Sequence, residues 1–318
     1  MVNRILIGIA LVIIIGISLA VVGWQRLAST GLQNEYANPG ALVSPEWLEQ
    51  HLQDPQIRVI ELLYNSSYSR AHIKGSVFVD WIHDLSDPTY PDRYIVASKA
   101  AIGELLGKIG VNRNTTVVLV DDLQNRLSMF MFWVLAYYGH DNARILNGGR
   151  SAWEAAGMPY TDEVTQVVET QYVVQETNQQ YRVGLDFIRE NLNNSDVVLV
   201  DARSPQQYSG EEPGRVFNTG QAHKRLGHIP GAINIPWKSN LRADNTFKSY
   251  EELLTLYNSK GITKDKFVVT YCNEGLHAAA DWFVLHELLG YSNVAVYNES
   301  MAEWANREDV PIVLGPNP

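Results

Sequence analysis

Cysteine is nearly missing from this chain, since Cys272 is the only one among 318 residues. A single thiol excludes an internal disulfide and leaves too few ligands for a cysteine-based metal site. Clustered positive charge is missing as well: 25 Lys and Arg residues face 35 Asp and Glu residues, the net charge is −10, and no basic run occurs. Because nucleic acids are held by clustered cations, the composition argues against a nucleic-acid partner.

Charge is absent from one long stretch at the N-terminus, residues 5–24, which is rich in Ile, Val, Leu, Ala and Gly and is flanked by Arg4 and Arg26. This length spans a bilayer as a helix, so we expect residues 1–27 to be a transmembrane or signal-anchor segment. The α-amino group and Arg4 favour a cytoplasmic N-terminus, which places the globular part on the extracytoplasmic side, periplasmic or lumenal. The alternative is a signal peptide cleaved near Ser18-Leu19-Ala20, which would give a secreted protein.

The rest of the chain contains an internal repeat with a period of roughly 150 residues. The repeated segments are residues 43–48 with 183–188, 71–77 with 227–233, and 116–121 with 267–272. A period as long as a whole domain predicts two copies of one fold. We therefore expect a polar tether at residues 28–38, an N-terminal domain at 39–170, a connector at 171–182 and a C-terminal domain at 183–318.

Both halves alternate short Val- and Ile-rich runs with amphipathic segments, for example residues 98–106 and 249–257. Such alternation predicts an α/β fold in which a mainly parallel sheet is flanked by helices. Ligands collect at the carboxyl ends of the strands of such sheets. Cys272 directly follows the apolar run Phe267–Tyr271 and therefore lies at one of these ends.

The surroundings of Cys272 favour a reactive thiol. A structural cysteine usually lies inside the apolar pattern of a strand or helix, whereas Cys272 is followed by a polar turn and by a helix that we expect from Ala278. The N–H groups of this turn and of the first helical turn carry partial positive charge. They stabilise a thiolate or a persulfide anion.

Three sequence features together resemble a rhodanese. They are Val200-Asp201-Ala202-Arg203, the run Gly227-His228-Ile229-Pro230-Gly231-Ala232-Ile233 with Trp237 after it, and Tyr271-Cys272 with its glycine-containing loop. The duplication resembles the tandem-domain thiosulfate and mercaptopyruvate sulfurtransferases. This resemblance implies two rhodanese-like domains, of which the second is catalytic and the first silent. Asp121, at the position equivalent to Cys272, cannot accept a sulfane sulfur.

The resemblance also implies an activity. A sulfane sulfur would pass from a small donor such as thiosulfate or mercaptopyruvate to a thiol or cyanide through a persulfide on Cys272, without a metal or an organic cofactor. Rhodanese-like domains also serve as binding or redox-sensing modules, so a non-enzymatic module at a membrane is the alternative.

The loop at residues 272–277 has the rhodanese length, and it lacks the arginine with which related phosphatases hold a phosphoryl group, so phosphatase chemistry is disfavoured. Its sequence, Cys272-Asn273-Glu274-Gly275, differs from the Cys-Arg-Lys-Gly and Cys-Gly-Ser-Gly of the two known types. We expect Glu274 to place a negative charge near the sulfur, which would oppose thiolate formation and discourage dianionic donors.

The remaining loop residues are expected to contact the persulfide or the substrate. Gly275 gives the backbone the freedom to turn its N–H groups inward, and Leu276 completes the loop. His277 either donates a hydrogen bond to a bound anion or faces solvent.

Cations are expected from an insertion that only the second half contains. Arg215 and Arg225 lie in it, and the rhodanese resemblance implies that this stretch binds substrate anions at the rim of the site. The alternative is a solvated charged loop.

Five further residues are expected to have structural roles. Arg203 would form an ion pair within its Asp-x-Arg motif, and His72 and His228 would hold their loops in place. Trp237 and Trp304 would lie in the core or in a pocket wall.

Overall fold

The computed structural model describes residues 36–90, 94–217 and 219–318. The expected membrane segment at residues 5–24 and most of the expected tether at 28–38 lie outside the described residues. Within the described part of the chain, no helix combines the length and the apolar character needed to cross a membrane.

The first domain contains a five-stranded parallel sheet in the order β1-β5-β4-β2-β3. Its strands are Leu42–Val43 (β1), Ile57–Leu62 (β2), Val77–Phe78 (β3), Thr116–Asp121 (β4) and Ala143–Leu146 (β5). Its helices are Pro45–His51 (α1), Asn65–Tyr68 (α2), Lys99–Lys108 (α3), Arg126–Tyr137 (α4) and Gly149–Ala155 (α5), preceded by a 3-10 turn at Pro39–Ala41.

The second domain repeats this arrangement, with a parallel sheet in the order β6-β10-β9-β7-β8. Its strands are Arg182–Val183 (β6), Val197–Asp201 (β7), Ile233–Asn234 (β8), Phe267–Tyr271 (β9) and Val294–Tyr297 (β10). Its helices are Leu185–Asn191 (α6), Pro205–Ser209 (α7), Tyr250–Asn258 (α8), Leu276–Phe283 (α9) and Ser300–Trp304 (α10). Two 3-10 turns lie at Gln179–Tyr181 and Trp237–Asn240, and a π-helical turn, Val284–Leu288, continues α9.

The predicted α/β fold with two tandem parallel sheets is therefore confirmed. Serine caps begin the two equivalent helices α3 and α8: the Ser98 hydroxyl accepts from the Ala101 N–H, and Ser249 forms a capping box with Glu252. Helix α9 begins at Leu276, two residues before the expected start at Ala278. Gly275 adopts a left-handed φ of 89° and ends the loop there.

The connector packs along the first domain before it enters the second. Tyr172 and Val174 are buried, and the Asn178 N–H donates to the Tyr137 carbonyl at 2.8 Å. The turn Gln179–Tyr181 then leads directly into β6, so Arg182, the last residue of the expected connector, already belongs to the second sheet. The described end of the expected tether, residues 36–38, is hydrogen-bonded to the second domain through the Ala37 N–H and the Leu288 carbonyl (2.9 Å).

Helices α4 and α9 pack against each other and join the domains. From Leu127 to Tyr137 every residue of α4 is buried, which is the pattern of a helix covered on all sides. The rings of Phe132 and Phe283 meet edge to face, 4.9 Å apart, inside one apolar cluster that extends through both domains. Since each helix directly follows a loop at the carboxyl end of a strand, this packing brings the Asp121 loop close to the Cys272 loop.

Candidate functional site

Cys272 directly follows β9, and α10 holds its backbone in place. The Cys272 N–H donates to Ser300 Oγ at 3.0 Å, and the Ser300 hydroxyl donates to the Tyr297 carbonyl at 2.7 Å. The Met301 N–H donates to the Cys272 carbonyl at 3.1 Å. Ser300 adopts a left-handed φ of 50°, an uncommon conformation for a residue with a side chain, and so brings its hydroxyl under the loop.

Main-chain N–H groups surround the sulfur of Cys272. The Gly275 N–H donates to Sγ at 3.1 Å, and the N–H groups of Glu274, His277 and Ala278 also lower the pKa of the thiol. Burial is the largest influence and raises that pKa above its ordinary value. A Cβ on Gly275 would lie 2.2 Å from Asn298 Nδ2, so this curled loop requires glycine. The loop is therefore built to stabilise an anion at the sulfur.

The thiol is only 2% exposed, yet it lines a cavity of about 260 Å³ between the domains. The other residues that line this cavity come from the same loop, from the insertion and from the start of α4: Asn273, Glu274, Leu276, His277, Arg215, Val216, Phe217, Gly220 and Arg126. The sulfur is therefore within reach of a small molecule in this cavity.

The carboxylate of Glu274 is held by two main-chain donors that lie far from it in the sequence. Oε1 accepts from the Tyr94 N–H at 2.9 Å, and Oε2 accepts from the Phe217 N–H. Burial is the largest cause that raises the pKa of Cys272. The expected effect of the Glu274 charge on thiolate formation and on dianionic donors stays a prediction.

Glu274 thereby joins two segments that differ between the domains. The second domain has more residues between Asp201 and His228 than the first has between Glu61 and His72. Conversely, the first domain has more residues between Trp81 and Ser98, the cap of α3, than the second has between the equivalent Trp237 and Ser249. The two longer segments meet at Glu274, and nearby the Val96 N–H donates to Asn298 Oδ1 at 2.9 Å.

His277 is half-buried and uncharged. Its ring stacks on Trp237 with 5.2 Å between centroids, and Arg126 Nη1 lies 3.4 Å from its Nε2. Burial, then Arg126 and Lys238, lower the pKa of His277 to about 3. The imidazole is therefore neutral at physiological pH, and its Nε2 accepts from Arg126.

The structure separates the two arginines of the insertion. Arg215 is exposed and lines the cavity, with Nη1 donating to the Gly220 carbonyl at 3.0 Å. Arg225 does not line the cavity: its guanidinium donates to main-chain carbonyls of residues 304, 305 and 310 around the end of α10. Asn273 lines the cavity too, and its Nδ2 donates to Gln207 Oε1 at 3.1 Å.

Arg126 is a cavity residue that sequence reasoning missed. It is the first residue of α4 in the first domain and lies 151 positions before His277. Its only signal in the sequence is its position as the counterpart of His277, at the end of the loop that is equivalent to residues 272–277.

The expected structural roles are as predicted. Arg203 and Asp201 form a buried ion pair with Nη2 and Oδ2 2.6 Å apart. His72 and His228 each stack on a tyrosine four or more residues earlier and bond to its carbonyl, at 2.9 and 2.8 Å. Trp304 is fully buried, and Trp237 is a buried wall behind His277.

The equivalent loop of the first domain encloses a carboxylate. Asp121 Oδ1 accepts from the N–H groups of Leu123 (2.7 Å) and Asn125 (3.0 Å), and Oδ2 accepts from Ser128 (2.7 Å). Burial raises the pKa of Asp121, while these hydrogen bonds lower it. The N–H groups that could hold an added anion are here occupied by the chain's own side chain.

The chain thus consists of two domains, each with a parallel sheet, and the second has a loop of N–H groups around its cysteine. Residues 44–156 and 185–307 each match the rhodanese-like domain family. The chain belongs to the rhodanese family. Among rhodanese relatives, it is 40% identical over 288 residues to the sulfur carrier protein TtuD of Thermus thermophilus, covering 88% of this chain and 99% of the relative. It is 37% identical over 288 residues to the thiosulfate sulfurtransferase of Corynebacterium glutamicum, covering 89% and 93%.

Solved structures share the rhodanese fold at lower sequence identity. The anaerobic ergothioneine biosynthesis enzyme of Chlorobium limicola, in complex with trimethyl histidine, superimposes with a TM-score of 0.77 at 23% identity. The match covers 88% of this chain and 71% of that one. At this identity the likeness concerns the fold alone.

Proposed function

We propose that this protein is a sulfurtransferase that carries a sulfane sulfur on Cys272. The donor is a small molecule such as thiosulfate or mercaptopyruvate, and the acceptor is a thiol or cyanide. The observation that carries the proposal is the ring of N–H groups around Sγ at the wall of an interdomain cavity. The names of the relatives, sulfur carrier and thiosulfate sulfurtransferase, support the same chemistry.

The transfer proceeds in two displacements. The Cys272 thiolate attacks the outer sulfur of the donor, a new S–S bond forms, and the bond between that sulfur and the rest of the donor breaks. With thiosulfate, the electron pair of the broken bond leaves on sulfite. An acceptor thiolate or cyanide then attacks the outer sulfur of the persulfide, and the electron pair of the S–S bond returns to Cys272 as a thiolate.

The loop N–H groups supply the catalytic help in both displacements. They stabilise negative charge on Sγ before the attack and on the outer sulfur afterwards, and burial strengthens these interactions by removing competing water. Because burial raises the pKa of Cys272, the resting thiol is largely protonated at neutral pH, and the N–H groups matter most once the thiolate has formed.

The proposal is tested by mass spectrometry of the intact protein. The protein and its Cys272→Ser variant are incubated separately with thiosulfate, mercaptopyruvate and an inorganic polysulfide, then with cyanide. We expect the mass of one added sulfur on the wild type with at least one donor, its loss to cyanide, and no addition on the variant. A wild type that gains no sulfur from any donor would favour a binding or redox-sensing module instead.

We also propose that residues 5–24 attach the protein to a membrane, with both domains on the extracytoplasmic side. The uncharged apolar stretch supports this proposal. Fractionation with protease protection tests it: the full-length chain should stay with membranes and resist a protease added on the cytoplasmic side. Recovery of a shortened chain in the aqueous fraction would instead indicate signal cleavage.

A further inference from the structure

The silent first domain contributes one cation to the cavity. Arg126 begins α4 and reaches across the domain boundary, where its Nη1 lies 3.4 Å from Nε2 of His277. Burial lowers the pKa of Arg126, and the charges of Asp121, then of Tyr64 and Cys272, counteract this lowering. Arg126 and Cys272 line the same cavity.

Arg126 has unused hydrogen-bonding capacity. Its Nε is buried with no hydrogen-bond partner, and within the described chain it forms no ion pair with a carboxylate. The nearest anion of its own domain, Asp121, gives its oxygens to three main-chain N–H groups. Its one side-chain partner, His277, is neutral. A buried guanidinium with an unpaired donor costs free energy unless a ligand supplies the missing acceptor.

The position of Arg126 in its helix is also unfavourable without a ligand. A cation at the first residue of a helix faces the positive end of the helix dipole, where acidic residues are preferred. The first turn of α4 contains no acidic residue to offset this. Both costs are removed when an anion binds between the helix terminus and the guanidinium.

The other cations near the site are placed differently. Arg215 is exposed and donates to the Gly220 carbonyl, and Arg225 donates to main-chain carbonyls around the end of α10. Lys238 lies behind the site, with its ammonium over the Trp237 ring. Of the two cations that line the cavity, Arg126 is thus the half-buried one, and its Nε has no hydrogen-bond partner among the described residues.

We propose that Arg126 binds the anionic group of the sulfur donor, so that the active site is completed by the domain that carries no thiol. The inference rests on the proposed sulfur transfer and narrows its donor to molecules that carry an oxyanion next to the outer sulfur, a sulfonate or a carboxylate. The fork of Arg126 holds the oxyanion while the outer sulfur faces Cys272. When the donor bond breaks, the electron pair leaves on the fragment that Arg126 holds.

The test compares two donors that react by the same displacement but differ in charge: thiosulfate, a dianion, and methanethiosulfonate, a monoanion. Persulfide formation is measured by mass for the full-length protein, Arg126→Gln and Arg126→Lys. Arg70→Gln, an exposed charge loss in the same domain, is the matched control. We expect Arg126→Gln to lower the rate of persulfide formation about 10- to 100-fold with thiosulfate and about 3- to 10-fold with methanethiosulfonate, because a charge-assisted hydrogen bond is lost. Arg126→Lys should recover part of the loss.

A direct binding measurement separates this inference from the proposed function. Thiosulfate is titrated by calorimetry into the Cys272→Ser protein, with and without Arg126→Gln. Loss of binding on removal of Arg126 supports the inference even if the wild type forms no persulfide. Unchanged thiosulfate affinity, or equal losses of rate with both donors, would overturn the inference and leave the role of Cys272 intact.

Discussion

The two domains use equivalent loops around two different side chains, a carboxylate and a thiol. In the first domain, three N–H groups converge on the Asp121 carboxylate, which follows β4 and precedes α4. In the second, N–H groups converge on the sulfur of Cys272, which follows β9 and precedes α9. The difference teaches that the main-chain N–H groups alone make this loop able to hold an anion. The side chain at its first position then decides the role of the loop: a carboxylate fills it, whereas a thiol leaves it able to hold an added group.

The domain without a thiol nevertheless remains part of the site. It supplies the Tyr94 N–H that holds Glu274, the Val96 N–H that holds Asn298, and the guanidinium of Arg126 beside His277. The first domain thus positions residues of the second although it has no cysteine of its own. One double variant, two single variants and one pH measurement test this division of roles.

The largest effect is expected when the thiol is moved to the other loop. Asp121→Cys in a Cys272→Ser chain should form persulfide at less than about one thousandth of the wild-type rate, since residue 121 is buried and does not line the interdomain cavity. Mass spectrometry after incubation with thiosulfate measures it. Sulfur addition at a rate near that of the wild type would show that residue type alone distinguishes the two loops.

Removing the carboxylate of the first loop should destabilise the protein. Asp121→Ala leaves three buried N–H groups without an acceptor, so we expect the free energy of unfolding to fall by about 2–4 kcal/mol in urea denaturation. Asp122→Ala, its exposed neighbour, is the control and should change stability little. Equal stability of the two variants would mean that the carboxylate is not needed to hold the loop.

A smaller loss of stability is expected when Glu274, where the two longer segments meet, is changed. Glu274→Gln turns an NH₂ group toward a main-chain N–H, so it should lower the free energy of unfolding by about 1–2 kcal/mol and speed hydrogen exchange at Tyr94 or Phe217. Glu211→Gln, an exposed change in the same insertion, is the control. Unchanged exchange at both N–H groups would argue against this junction.

The smallest effect concerns the thiol itself. Since the chain has one cysteine, alkylation by iodoacetamide reports on Cys272 alone. Burial raises the pKa of this thiol, so the alkylation rate should increase with pH with a midpoint above that of an ordinary cysteine, about 8.5. Below the midpoint the rate should fall about tenfold per pH unit. A midpoint near 7 would show that the N–H groups outweigh burial.

The fold and the position of Cys272 at the end of a strand could be predicted because their signals are local. Apolar runs such as Phe267–Tyr271, the serine before α8 and the glycine in the Cys272 loop each act within a few residues. Because the chain contains an internal repeat, most of these patterns occur twice. Consequently the two sheets, the loop and the Asp201–Arg203 ion pair were within reach of the sequence.

The rest depends on how the domains dock. The carboxylate of Glu274 accepts hydrogen bonds from N–H groups of two segments that are distant in the sequence, and no local pattern predicts these contacts. Arg126 reaches the cavity because α4 packs on α9, and Arg225 misses it because the carbonyls around the end of α10 attract its guanidinium. The positions of side chains whose partners lie across the domain boundary could therefore be found only from the structure of both domains together.

The presence of a single thiol has a consequence for how the outer sulfur of a persulfide would be released. With no second cysteine anywhere in the chain, an outer sulfur on Cys272 cannot be expelled by an internal disulfide, as a resolving cysteine would do. Unloading therefore has to be bimolecular, and its speed is set by the concentration and reach of the visiting nucleophile.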